Sequence, residues 1–188
     1  MSGDHQVGDG ANTPVAIQGR LSALIRDVPD FPRPGILFKD ITPLLADVDG
    51  FALAVDALAE RIKAHRPEAL VAIESRGFIF GAALARALAL PLLLVRKPGK
   101  LPAATASVDY QLEYGSDRLE IHADAIHAGA RYAIVDDVLA TGGTAAATAT
   151  LVRKLHGEVV CQAFLMDLPT LCGRSRLQPV AVEVLLSF

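Results

Sequence analysis

Cysteine is scarce in this chain: Cys161 and Cys172 are its only two among 188 residues, and they follow no metal-binding or redox spacing. A disulfide framework is thereby excluded as the source of stability, and reduced thiols in a cytoplasm are expected. Excess positive charge is missing too. Lys and Arg number 18 against 21 Asp and Glu, giving a net charge of −3 and a pI near 5.9. Broad nucleic-acid binding, which draws on counterion release from a basic face, is not expected from that balance, so any anion site must be local. Long apolar runs are absent as well. The stretch from Ala87 to Val95 is broken by Pro91 and ends at Arg96-Lys97, far short of the ~20 residues that span a membrane. Residues 1 to about 14 are polar, Gly-rich and acidic, without the positive start and apolar run of a signal peptide. No solenoid period and no linker between domains is visible.

What is present suits one α/β domain. The chain is 52% hydrophobic and 21% charged, enough for a core of roughly 150 residues or slightly more. Residues 1–18 read as a disordered N-terminal tail and 19–188 as a single domain. Leu21, Leu24, Ile25 and Val28 predict a short amphipathic helix, stopped by Pro29, Pro32 and Pro34. Gly35 to Lys39 reads as extended, and Thr42-Pro43 as an N-cap with proline at the first helical position. Phe51 to His65 is helical, with Pro67 behind it. From there strands and helices alternate: strand Ala69 to Ile73, helix Phe78 to Ala89, strand Pro91 to Val95, strand Ala133 to Asp136, helix Thr144 to Leu155, strand Val159 to Met166, strand Val180 to Leu186. Val108 to Glu113 and Leu119 to His122, around Gly115-Ser116-Asp117, predict a β-hairpin arm. The alternation implies a largely parallel twisted sheet flanked by helices, with ligands bound beyond the carboxyl ends of its strands.

Four segments carry chemistry. The run Ala133-Ile-Val-Asp-Asp-Val-Leu-Ala-Thr-Gly-Gly-Thr144 joins a buried strand to a helix through two carboxylates and a Gly-rich loop. Glycines let the backbone approach a ligand, helix-start N–H groups and the Thr141 and Thr144 hydroxyls suit a phosphate, and Asp136 and Asp137 can accept bonds from ribose hydroxyls. A bare Gly-rich turn with a solvated acidic cap is the alternative. A P-loop is excluded because Gly-Lys-Ser/Thr is missing; Gly99-Lys100 leads into Leu101-Pro102. Ile73-Glu-Ser-Arg-Gly-Phe-Ile-Phe-Gly81 is a second strand end turning into a helix, whose Arg76 could simply pair with Glu74 or Asp40. Arg96-Lys-Pro-Gly-Lys100 offers three cations in five residues, suited to a diphosphate or to plain solvation. Phe31 to Asp40 is a Pro-rich loop in which Phe38 could stack on a flat ligand or fill a hydrophobic loop.

These segments resemble the type I phosphoribosyltransferases, and Arg-Lys-x-Gly-Lys-Leu-Pro followed by Leu-Glu-Tyr-Gly resembles their adenine-specific family, over about Leu21 to Phe188. The resemblance implies transfer of ribose 5-phosphate from phosphoribosyl diphosphate (PRPP) to adenine, giving AMP and diphosphate, with Mg2+ bound through PRPP and no direct protein ligand to the metal. It assigns Asp136 and Asp137 to the ribose, and Ala140, Thr141, Gly142, Gly143 and Thr144 to the 5-phosphate. Glu74, Ser75, Arg96, Lys97 and Lys100 fall to the diphosphate. Leu37, Phe38 and Lys39, in a hood over about 29–42, fall to adenine. Glu113 and Arg76 take catalytic roles, with Tyr114 beside Glu113 on the flexible arm that covers the substrates. A cis Glu74–Ser75 peptide and a homodimer are further implications, with no nucleic-acid or membrane partner. Val138, Glu74 and Lys39 depart mildly from the commoner leucine, aspartate and arginine, and Lys39 loses an arginine's bidentate geometry. A phosphoribosyltransferase for another purine, or a non-catalytic purine or PRPP sensor on the same fold, remain alternatives.

Overall fold

The computed structural model describes residues 13–112 and 115–188. Residues 1–12, and with them most of the expected tail, lie outside the described residues, as do Glu113 and Tyr114. The chain divides into two units at Ala54/Val55.

In the first unit, helix α1 spans Pro14–Ser22 and begins at Thr13, whose hydroxyl accepts the Ala16 N–H at 3.3 Å. Proline at the first helical position and a threonine cap are strong start signals, and they bring residues 14–18, read as tail, into a helix. The helix expected over Leu21 to Val28 ends at Ser22 instead. Strand β1 (Arg26–Pro29) pairs antiparallel with β2 (Leu37–Asp40), Val28 opposite Phe38. A partner strand ten residues on overrides the local 3.6-residue spacing, because the ladder satisfies backbone groups of a segment whose Pro29 cannot continue a helix. Helix α2 (Thr42–Ala46) is capped from before Thr42: Asp40 accepts both the Thr42 N–H at 2.9 Å and its hydroxyl at 2.7 Å. Helix α3 (Val48–Ala64) then carries the chain across the unit boundary.

The second unit is built on a five-stranded sheet, all parallel, in the order β4-β3-β7-β8-β9. Its strands are β3 (Ala69–Ile73), β4 (Leu92–Val95), β7 (Arg131–Leu139), β8 (Glu158–Asp167) and β9 (Ala181–Ser187). Helices α4 (Gly77–Leu88) and α5 (Gly143–Lys154) connect β3 to β4 and β7 to β8. All five residues of β3 are buried, as befits a parallel strand covered on both faces. Val71, Ile73, Tyr132 and Ile134 pack with Ala147, Leu151 and Val152 of α5. On the other face a Cβ at Gly81 of α4 would stand 2.6 Å from that of Ala72, so a glycine there sets α4 close to the sheet.

Neighbouring strands β3 and β7 thus send their helices to opposite faces and their onward connections to opposite edges. That is a topological switch point, and in open α/β sheets ligands bind at such a point, beyond the carboxyl ends of the two strands. The hairpin β5 (Thr105–Leu112) and β6 (Gly115–His122) is inserted between β4 and β7. Gly115 and Asp117, expected in its turn, belong to β6: Asp117 pairs with Tyr110 and Gly115 with Leu112. Two 3-10 turns, Pro169–Leu171 and Gly173–Leu177, precede β9.

Candidate active site

At the end of β7 the buried run Tyr132 to Val135 gives way to two adjacent carboxylates. Asp136 keeps part of its surface, while Asp137 is 3% exposed. Asp136 accepts the N–H of Asp137 at 2.9 Å. Burial, reinforced by the charge of Asp137, pushes the Asp136 carboxyl well above the usual range. Burial raises Asp137 too, and Arg76 draws it back. The Arg76 Nε stands 2.7 Å from Asp137 Oδ2, yet among the described residues that oxygen accepts no aligned hydrogen bond. The contact is one of charge at close range, which leaves acceptor capacity on a buried acidic pair for hydroxyl donors to fill. Gly77 makes the arrangement possible: a Cβ there would lie 2.8 Å from Asp136 Oδ1 and 2.9 Å from the Val135 carbonyl.

The loop from Ala140 to Thr144 turns through Gly142 at φ +77°, a conformation that suits glycine, into α5. Gly142 caps the helix without a side chain, so no cap carboxylate or hydroxyl competes for the first-turn N–H groups. Behind the loop sits Gly173. A Cβ on Gly173 would come within 2.1 Å of the Ala140 carbonyl, and one on Gly142 within 2.6 Å of the Gly173 carbonyl. Arg174 is fixed next to it by a 2.6 Å bond to Asp167, which is 2% exposed and also accepts the Ser187 hydroxyl. Gly173, Asp167 and Arg174 were not among the residues expected at the site. Their only trace in the sequence is a carboxylate ending an apolar strand and a Gly-Arg pair six residues on.

Across the switch point, the Glu74–Ser75 peptide at the end of β3 is cis. Glu74 gathers the basic loop. Its Oε2 accepts the Lys97 N–H at 3.0 Å, and its Oε1 lies 3.3 Å from Arg96 Nη2 and 3.7 Å from Lys100 Nζ. Burial works to raise the Glu74 carboxyl, but the Lys97 N–H and the Arg96 and Lys100 cations outweigh it and hold the group below its usual value. Arg96 also lies over the Phe78 ring at 5.9 Å and donates to the Lys100 carbonyl at 3.0 Å. Glu120 accepts the Gly99 N–H at 3.1 Å, and a backbone bridge ties Arg96 to Glu120. Lys97 Nζ reaches Asp117 at 3.4 Å. Arg76 therefore pairs with Asp137, and Glu74 gathers Arg96 and Lys100 while the Lys97 side chain turns to Asp117.

In the first unit, Leu37 is 49% exposed, and the Phe38 ring meets Phe31 edge-on at 5.1 Å. Lys39 is held by Asp27 at 2.6 Å across the β1–β2 pair. Among the described residues no group of three or more His, Cys, Asp or Glu could hold a metal ion, and no helix is long and apolar enough to cross a membrane.

Comparison with known proteins agrees with this geometry. A family model for the phosphoribosyl transferase domain matches residues 44–182. The adenine phosphoribosyltransferase of a Synechococcus strain is 55% identical over 168 residues, covering 89% of this chain and 98% of its own. That of Geobacter metallireducens is 54% identical over the same length, with coverage of 89% and 98%. Among solved structures, the adenine phosphoribosyltransferase of Thermoanaerobacter pseudethanolicus superposes with a TM-score of 0.89 at 47% identity, covering 91% of this chain and 99% of that one. The Saccharomyces cerevisiae enzyme, solved with an imino-altritol bisphosphate and adenine, gives 0.86 at 40% identity, with coverage of 92% and 99%. A sheet whose switch point is furnished in this way, matched at such identity over nearly nine-tenths of its length, places the chain in the phosphoribosyltransferase family, among the adenine phosphoribosyltransferases.

Proposed function

We infer that the protein joins adenine to the ribose 5-phosphate of PRPP, releasing AMP and diphosphate. The observation that carries this reading is the meeting, at one switch point, of the buried Asp136-Asp137 pair and the Gly142 helix start with the Glu74 loop and its cations. Ribose hydroxyls donate to Asp136 and Asp137. The 5-phosphate takes the N–H groups and hydroxyls of the loop made by Ala140, Thr141, Gly142, Gly143 and Thr144. Diphosphate lies against the peptides of Glu74 and Ser75 and against Arg96, Lys97 and Lys100, which neutralise charge as the C1–O bond breaks. Arg76, fixed by Asp137, sits beside the reacting ribose. Adenine stacks on Phe38, with Leu37 offering peptide groups to its edge and Lys39 nearby. As N9 bonds to C1, its proton must leave, and Glu113, next to Tyr114 on the arm, is the base assigned to the N7/N9 protons.

Mg2+ brought in on PRPP adds positive charge to the diphosphate oxygens. The ion would be held mainly through the substrate, since Mg2+ at phosphates keeps phosphate and water ligands rather than needing an all-protein cage. A homodimer is the assembly we propose. Its support is the apolar surface left open on α4 and the edge strand β4, where Ile79 is 39% and Leu94 38% exposed. Two cysteines without a disulfide support a cytoplasmic setting.

The test is base competition. Purified protein is supplied with PRPP, Mg2+ and equal adenine, hypoxanthine and guanine, and the nucleotide is identified. AMP is expected. Dominant IMP or GMP would move the assignment to another purine, and no nucleotide at all would favour a sensor.

A further inference from the structure

Two side chains of the hairpin touch the proposed PRPP groups but have no part in the reaction above. Asp117 on β6 places Oδ2 3.4 Å from Lys97 Nζ. Tyr110, opposite it on β5, sets its hydroxyl 3.3 Å from that same oxygen and 3.3 Å from the Thr144 hydroxyl. A continuous line of polar contacts therefore runs from the phosphate loop, through Tyr110 and Asp117, to the basic loop. The hydroxyl of Tyr110 is part-buried, and Asp117 is 24% exposed against 59% for Lys97. The Arg118 N–H holds the Asp117 carboxyl below its usual range against the pull of burial, with Lys97 and Tyr110 adding to the effect, so it is an anion at working pH.

Chemically, the line imitates a ligand. A carboxylate on an ammonium group and an oxygen on a threonine hydroxyl are the contacts that the two phosphate ends of PRPP would make. We propose that Asp117, with Tyr110, is an internal competitor for PRPP: it occupies Lys97 and the Thr144 hydroxyl until diphosphate and 5-phosphate displace it, and so sets the affinity for PRPP downward. Asp117 acts through Lys97 and is a positioning residue, not a catalytic one. The inference rests on the reading of Lys97 and Thr144 as PRPP contacts.

The experiment is a double-mutant cycle on the full chain, with calorimetric binding of PRPP and Mg2+ to wild type, Asp117→Asn, Lys97→Ala and the pair, alongside kcat. Because partly exposed ion pairs are weak, Asp117→Asn should tighten PRPP binding roughly two- to fivefold. It should leave kcat unchanged. The gain should shrink with added salt and vanish in the Lys97→Ala background. Asp117→Glu should restore wild-type affinity, and Asp117→Ser replaces the Asn variant if that chain misfolds. A merely structural Asp117 predicts weaker PRPP binding with a lowered Tm. Unchanged or weaker binding by a folded Asp117→Asn overturns the competitor. Failure of the site assignment looks different: wild type that binds no PRPP, or Lys97→Ala that binds it as tightly as wild type, removes the premise as well.

Discussion

On the proposed reading, the two loops that meet at the switch point hold phosphate in opposite ways. The loop after β7 is made of backbone: Gly142 and Gly173 interlock at distances that leave no room for a Cβ, and nothing in Ala140 to Thr144 carries charge. The loops after β3 and β4 are made of side chains, and Arg96, Lys97 and Lys100 are all engaged by Glu74 or Asp117. A group that stays on the product through the reaction can be met by a rigid cradle, whose donors need no reorganisation. A group that leaves is better met by long, partly exposed cations that find other partners once it has gone.

The largest expected effect lies outside both loops and separates them from the proton chemistry. Glu113→Gln should slow single-turnover AMP formation by ~10²–10⁴ if Glu113 handles the purine proton. Enzyme in excess is needed, because product release often limits turnover in enzymes with moving loops. An unchanged chemical step would leave catalysis to the two loops alone, by positioning and electrostatics.

Next comes the acidic pair. Asp136→Asn with Asp137→Asn should lower kcat/KM for PRPP by about 10²–10³, the order expected when charged hydrogen-bond partners are lost. Stability should move the other way. Both carboxyls are raised above their unfolded values, so their favourable contribution is complete only below the unfolded value and is lost as pH rises through the folded one. At neutral pH the pair is therefore a burden, and the double variant should show a higher Tm than wild type, the gap closing as pH falls toward 4. A lower Tm at pH 7 with intact activity would make the pair structural.

Gly173→Ala tests the rigid side. The new methyl must displace the Ala140 carbonyl, and a shift of the order of 1 Å in the cradle should cost about 10²-fold in kcat/KM for PRPP. Overpacking of this kind also costs roughly 1–3 kcal/mol, visible as a lowered Tm. Unaltered PRPP kinetics would show that the cradle yields freely. The smallest effect belongs to the charged side. Lys100→Ala should raise KM for PRPP about three- to tenfold, with kcat nearly constant, and the difference should fade between low and high salt. A salt-independent loss of kcat would instead mean that Lys100 holds geometry.

Pattern alone was enough for much of this molecule. Fully buried strands such as β3 read as unbroken apolar runs, and α4 and α5 announce themselves by glycine turns and small-residue spacing, so the α/β class and the parallel sheet were legible. So was the place of Asp136, Asp137 and the Gly142 loop between a buried strand and a helix, because an apolar run, a glycine turn and small-residue spacing follow one another there. Tertiary structure decided what sequence separation hides. Leu21 to Val28 satisfies a helical period, yet a strand at 37–40 claims Arg26–Pro29. The sequence left the partner of Arg76 open, and the juxtaposition of β3 and β7 brings Asp137 to it. Gly173 stands 31 residues beyond Gly142, and its need to lack a Cβ exists only because β8 and the 3-10 turn return it to the phosphate loop. Local sequence specifies which backbone shapes are cheap, whereas charge pairing and close approach depend on distances that the folded chain alone sets.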